Sequence, residues 1–167
     1  MPSQWIIDGF NFIRTSRRFA EWEAEAPEAG RTAALEWLGD FSQSTGQAVT
    51  VVFDAYSSME RAMKESSAFG ITVLESRGSY TADEEILALA QKLGQGAIVV
   101  SSDREVQEGA VRAGCSILSS QEFEREVGKI FAAEEEDENF PARKGPGAAF
   151  RPPKEKKKAF QLLRKFQ

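Results

Sequence analysis

Five short apolar runs punctuate the chain: Trp5 to Ile7, Val49 to Phe53, Ile71 to Leu74, Ala97 to Val100 and Cys115 to Leu118. They are continuous rather than alternating, which is the pattern of strands covered on both faces in a parallel sheet. Between them the period changes. From Arg31 to Ser44, the residues Ala34, Leu35, Leu38 and Phe41 fall on one helical face, and from Thr81 to Leu93 the same holds for Ile86, Leu89, Ala90 and Leu93, with Gly94 as the stop. "SDREVQEGAVRAG" reads as a further helix closed by Gly114, and "SSQEFEREVGKIFAAEEE" as the last, opened by a Ser and Gln/Glu capping pattern. The stretch "SSMERAMKESSAFG", residues 57–70, is expected to form a short helix. Strands and helices thus alternate along the chain, predicting an α/β fold with a doubly wound sheet and right-handed crossovers.

Ligands of such sheets collect past the carboxyl ends of the strands, near the switch in strand order. The residues just past each run are therefore informative. Asp8 comes after the first, with Asn11 one turn on, and Asp54 after the second. The third leads into "TADEE", which puts Asp83 and Glu84 in the first turn of a helix, and the fourth runs into Ser101, Ser102 and Asp103. Ionised acids several ångströms apart near a surface repel by on the order of 1 to 4 kcal/mol per pair. A hard dication such as Mg²⁺ or Mn²⁺ turns that repulsion into binding, taking one or two carboxylates directly and the rest through waters. Its coordinated water is a better nucleophile, and its charge stabilises a reacting phosphate. Each acid also has a purely structural reading. Thr81 and Glu84 fit a capping box, as do Ser102 and Glu105, while Asp8-Gly9 fits an Asx turn and Asp54 a strand-end turn. These readings explain the acids singly, but not why apolar strands repeatedly end on acid.

Composition narrows the chemistry. Among 167 residues there is no histidine and a single cysteine, Cys115, which excludes histidine bases, His-based triads, multi-thiolate metal sites and internal disulfides. No apolar run is long enough to span a bilayer, and the first residues lack the charged and apolar regions of a signal peptide, so a cytoplasmic protein is expected. Charge is uneven. From Pro141 onward nine Lys and Arg face the single acid Glu155, a net +8, which leaves −13 for the rest of a chain whose total is −5. The expected organisation is a domain over 1–134 and a flexible basic tail over 135–167. In that tail Phe160, Leu163 and Phe166 stand at helical spacing among cations, which suits an amphipathic helix formed on a partner. Arg151, Lys154, Lys156, Lys157, Lys158, Arg164 and Lys165 are the expected polyanion contacts.

"IIDGFN", "VVFDAY", "TADEEI" and "VVSSD", in this order, resemble the motifs of the NYN domain, a PIN-like nuclease fold, and in particular of its bacterial YacP group. The resemblance covers Trp5 to Glu126 and is specific as a set. It implies a three-layer α/β/α architecture with a five-stranded parallel sheet in the order 3-2-1-4-5. It also implies an acidic pocket for Mg²⁺ or Mn²⁺ and endoribonuclease activity, with mRNA on the ribosome as the implied substrate. By position, Asp8, Asp83 and Asp103 would bind the metal and Asp54 would complete the catalytic set. Asn11 would orient ligand or phosphate, with Glu84 and Ser102 in supporting places. Phe10 stands where the family commonly has tyrosine. Receiver domains are excluded because no lysine follows the fifth strand, and haloacid dehalogenase-type phosphatases because Phe10 replaces their second aspartate. The alternative is a non-catalytic RNA- or ribosome-binding protein that acts through its tail.

Overall fold

The computed structural model describes residues 3–54, 64–76 and 81–138, with side chains through 135. The strands are β1 (Gln4–Asp8), β2 (Ala48–Asp54), β3 (Lys64–Ala68), β4 (Ile71–Ser76), β5 (Ala97–Val100) and β6 (Ser116–Leu118). The helices are α1 (Gly9–Thr15), α2 (Arg17–Glu25), α3 (Pro27–Thr45), α4 (Ala82–Leu93), α5 (Arg104–Arg112) and α6 (Ser120–Glu138). The sheet order is β3-β4-β2-β1-β5-β6. Five strands, β4-β2-β1-β5-β6, run parallel and realise the expected 3-2-1-4-5 order.

The sixth strand corrects the expected count and replaces part of the helix expected over 57–70. Lys64 to Ala68 pairs antiparallel with β4 through a two-residue turn at Phe69 and Gly70. Both turn residues have positive φ, 51° and 80°, which matches the backbone twist that a tight hairpin requires and which glycine adopts freely. β3 sits on the sheet edge and is mostly exposed, so it has no apolar face to betray it. Residues 55–63 lie outside the described residues, as do 139–167 with every basic position named above from Arg151 to Lys165.

Pleating divides the core into two layers. Trp5, Ile7, Val51 and Val100 face a layer built with α1, α2, α3 and α6, whereas Ile6, Val52, Leu74 and Val99 face α4 and α5. The first layer is aromatic. Phe123 lies with its ring 5.2 Å from Phe41, 5.3 Å from Trp5, 5.9 Å from Phe12 and 6.0 Å from Trp37, centroid to centroid. Removing it leaves a cavity bordered by those four rings. Phe123→Ala should therefore lower unfolding free energy by about 3 to 5 kcal/mol, read as a lower denaturant midpoint at unchanged slope.

Candidate active site

The period of the pleat decides which side chains meet. Ile6, Val52, Leu74 and Val99 all face α4 and α5, so the residues two further along, Asp8, Asp54, Ser76 and Ser101, emerge on that same face at the strands' carboxyl ends. β1 lies between β2 and β5, and the chain fills one side of β1 before crossing to the other, so the switch in strand order falls between β1 and β5. Asp8 and Ser101 stand there, and Ser101 Oγ donates to Asp8 Oδ2 at 2.9 Å in a buried contact.

Gly9 makes the turn from β1 into α1 close to the sheet. A Cβ at this position would strike the Phe53 ring, so the glycine is required by packing rather than by a free turn. α1 then carries Asn11 back over the pocket. Asn11 Oδ1 accepts from Ser102 N and from Ser120 Oγ, each at 2.8 Å. With its oxygen held by two donors, the amide keeps its NH₂ unpaired among the described residues, a donor suited to an anionic oxygen.

The expected carboxylates divide by what already holds them. Asp54 Oδ1 accepts from Ala82 N at 2.6 Å and from Ser76 Oγ at 3.3 Å, tying the end of β2 to the start of α4. Asp103 caps α5, accepting from Glu105 N at 2.8 Å and Val106 N at 3.3 Å, while its own N–H donates to Ser101 Oγ at 3.1 Å. The cap of α5 is thus Asp103, not the expected Ser102. Glu84 completes the capping box with Thr81, through bonds of 2.9 Å and 3.2 Å, so its carboxylate is occupied in starting α4. Ser102 Oγ donates to Gln121 at 2.6 Å and accepts from Ser120 N at 3.1 Å, fastening the β5 loop to α6. Asp83, half-buried in the first turn of α4, has no hydrogen bond among the described residues.

Electrostatics bind these groups into one cluster. Burial pushes the Asp8 carboxyl up to about 6; the Ser101 hydroxyl partly opposes this, and Asp83, Asp103 and Asp54 raise it further. Asp83 is raised too, first by burial and then by Asp103, Asp54, Glu105 and Glu84. Among the described residues the ion pairs are Arg14–Glu23, Arg31–Glu75, Arg104–Glu108, Arg112–Glu108 and Lys129–Glu126, so none neutralises the cluster. No group of three or more acidic side chains among the described residues closes on a single point where a metal could sit. The donor set is nonetheless all hard oxygen. It fits a dication held directly by one or two carboxylates and otherwise through water.

Ser101 and Ser76 were not among the expected site residues. Each continues a buried strand by one pleat, and that is the signal that finds them. They replace apolar side chains with hydroxyls where the strands reach Asp8 and Asp54.

A mostly parallel α/β/α sheet whose switch point gathers carboxylates is the architecture of the PIN-like nuclease folds. The chain belongs to the YacP-like NYN domain family, which it matches over residues 5–165. It is 30% identical over 128 residues to the uncharacterized protein YacP of Bacillus subtilis (strain 168), covering 75% of each chain. It also resembles the crystal structure of Rae1 (YacP) from Bacillus subtilis, with a TM-score of 0.68 at 27% identity over 99% of this chain and 95% of that one. A variant of the same protein shares the fold, with a TM-score of 0.66 at 23% identity over 99% of this chain and 92% of the other. No helix among the described residues is long and apolar enough to cross a membrane.

Proposed function

We propose that this chain is a divalent-metal-dependent endoribonuclease that cuts RNA at the Asp8 pocket, with mRNA on the ribosome as its substrate. The observation that carries the reading is Asp8 itself: a carboxyl buried at the switch point, raised to about 6 and ringed by Asp83, Asp103 and Asp54. An arrangement so costly to the fold is expected where a cation or a proton is to be held. Membership of a PIN-like nuclease family supports RNA hydrolysis as the chemistry.

Mg²⁺ or Mn²⁺ bound here would supply a water of lowered pKa and positive charge for the scissile phosphate. Asp8 and Asp83, whose oxygens are least committed to the fold, would hold it together with Asp103, one of whose oxygens already caps α5. Asp54 fixes where α4 begins and so where Asp83 stands. The Asn11 NH₂ donates to a non-bridging phosphate oxygen, water attacks phosphorus in line, and the 3′-oxygen leaves with a proton. The products are a 5′-phosphate and a 3′-hydroxyl. Arg151, Lys154, Lys156, Lys157, Lys158, Arg164 and Lys165 hold the RNA backbone in this reading.

The test is cleavage of an mRNA in a reconstituted translation reaction, with ends mapped, against the same RNA alone. Metal-dependent cuts leaving 5′-phosphates, stronger on the translated message, are expected. Cutting that persists in a chelator contradicts the reading.

Proton and metal compete for Asp8, so the sign of the pH effect is fixed. Dication affinity should fall about tenfold for each pH unit below about 6 and level off above it. Ser101→Ala removes the hydrogen bond that lowers the Asp8 pKa, so the bend in that profile should move to higher pH. Calorimetric Mn²⁺ titrations from pH 5 to 8 measure both.

A further inference from the structure

We propose that the groove between the C-terminal halves of α3 and α6 is the seat of the chain's own basic segment, residues 154–166. The groove encloses about 360 Å³. Its floor is aromatic, made by Trp37 and Phe131, whose rings meet edge to face at 5.4 Å. Its rim is acidic and polar, with Asp40 and Glu135 exposed and Gln43 and Ser44 between them. Trp37 is only 8% exposed, and its indole N–H is buried with no acceptor among the described residues.

The carboxylates here do not converge on one point, so the groove does not suit a single metal ion. It suits cations spaced along a chain that also carries apolar side chains. The segment has that composition, with Phe160, Leu163 and Phe166 at helical spacing between Lys154, Lys156, Lys157 and Lys158 on one side and Arg164 and Lys165 on the other. Connectivity favours an internal occupant. The described chain ends at Glu138, three residues past the groove-lining Glu135, and the residues from there to Lys154 can extend by about 50 Å, enough to fold back. A tether of that length gives an effective concentration on the order of millimolar.

Location gives the contact a consequence. α6 begins beside Asn11, through Ser120, and the groove lies near its other end, about 20 Å away along the axis. Cations seated there are held away from the Asp8 pocket until a polyanion competes for them. The seat itself does not depend on the nuclease reading.

The experiment uses the full chain with Cys115→Ala and Gln167→Cys, carrying a nitroxide at the new cysteine. Amide signals broadened in the ¹⁵N-labelled protein report where the segment rests. Broadening centred on Asp40, Gln43, Ser44 and Phe131, reduced at least threefold by Asp40→Asn with Glu135→Gln, is the expected result. Broadening centred on another face, none at all, or a pattern that the two substitutions leave unchanged overturns the proposal. Mixing nitroxide-bearing ¹⁴N chains with unlabelled-cysteine ¹⁵N chains identifies the occupant. Groove broadening in that mixture as strong as within one chain means a second copy's segment, and also overturns it. A single-stranded oligoribonucleotide added to the labelled chain should restore the groove signals as it binds. Binding that leaves them broadened shows that the segment is not the RNA ligand, a failure of the RNA reading and not of the seat.

Discussion

Asp8→Asn should abolish RNA cleavage, by at least about 10³-fold, while making the folded chain more stable at neutral pH. The two effects have one cause. A carboxyl whose folded pKa is raised to about 6 binds protons more tightly in the native state than in the unfolded state. Its contribution to stability is therefore fully present below the unfolded value of 3.8 and is lost as pH rises through about 6. Integrated over that window the penalty at pH 7 to 8 is on the order of 3 kcal/mol. Asparagine keeps a side-chain oxygen to accept from Ser101 but carries no charge, so it escapes the penalty. Thermal unfolding should show the variant above wild type at pH 8 and level with it at pH 4. A variant that loses cleavage by losing its fold would show the reverse order at pH 8, and one that cuts normally would remove Asp8 from the chemistry.

The second large effect belongs to the tail. If Arg151, Lys154, Lys156, Lys157, Lys158, Arg164 and Lys165 all contact phosphates, the logarithm of RNA affinity should fall against the logarithm of salt with a slope of about −5, from roughly −0.7 per contact on single strands. Replacing Lys154, Lys156, Lys157 and Lys158 with alanine should flatten that slope by about 3. Between 50 and 200 mM salt, the wild-type chain would lose affinity about a thousandfold and the variant only about twentyfold, by the same relation. Filter binding across a salt series measures this. The non-catalytic alternative predicts the same tail behaviour, but it also predicts that Asp8→Asn changes nothing beyond stability. The pair of variants therefore separates the two readings. One observation keeps the alternative in play: Asp54, Asp103 and Glu84 all serve turns and caps of the fold.

The parallel strands were legible because burial on both faces leaves an unbroken apolar run, and the order of five of them followed from the family's motifs. β3 was not legible. "KESSA" is an edge strand with no buried face, and its charges and serines read equally well as helix. α1 and α2 were also missed. Their apolar positions, Phe12, Ile13 and Phe19, are few and lie in short helices, below the length at which a 3.6-residue period stands out. For the pocket, strand-end position located the acids, and the pleat shows why they share a face. What sequence did not reveal is how each acid is already employed. Capping geometry is a matter of which oxygen meets which N–H, and "TADEE" and "SSDRE" are compatible with several such pairings. Only coordinates distinguish Glu84, turned to its box, from Asp83, which has no hydrogen bond among the described residues.

In the proposed reading, acids from separate strand ends form one cluster whose repulsion a dication relieves. The deciding measurement is a calorimetric titration of Mn²⁺ into wild type and Asp8→Asn at pH 7.5. Saturable binding near one ion per chain is expected in wild type and at least a hundredfold weaker binding in the variant, with the variant folded throughout. Equal binding by both proteins, or none by wild type, would contradict it.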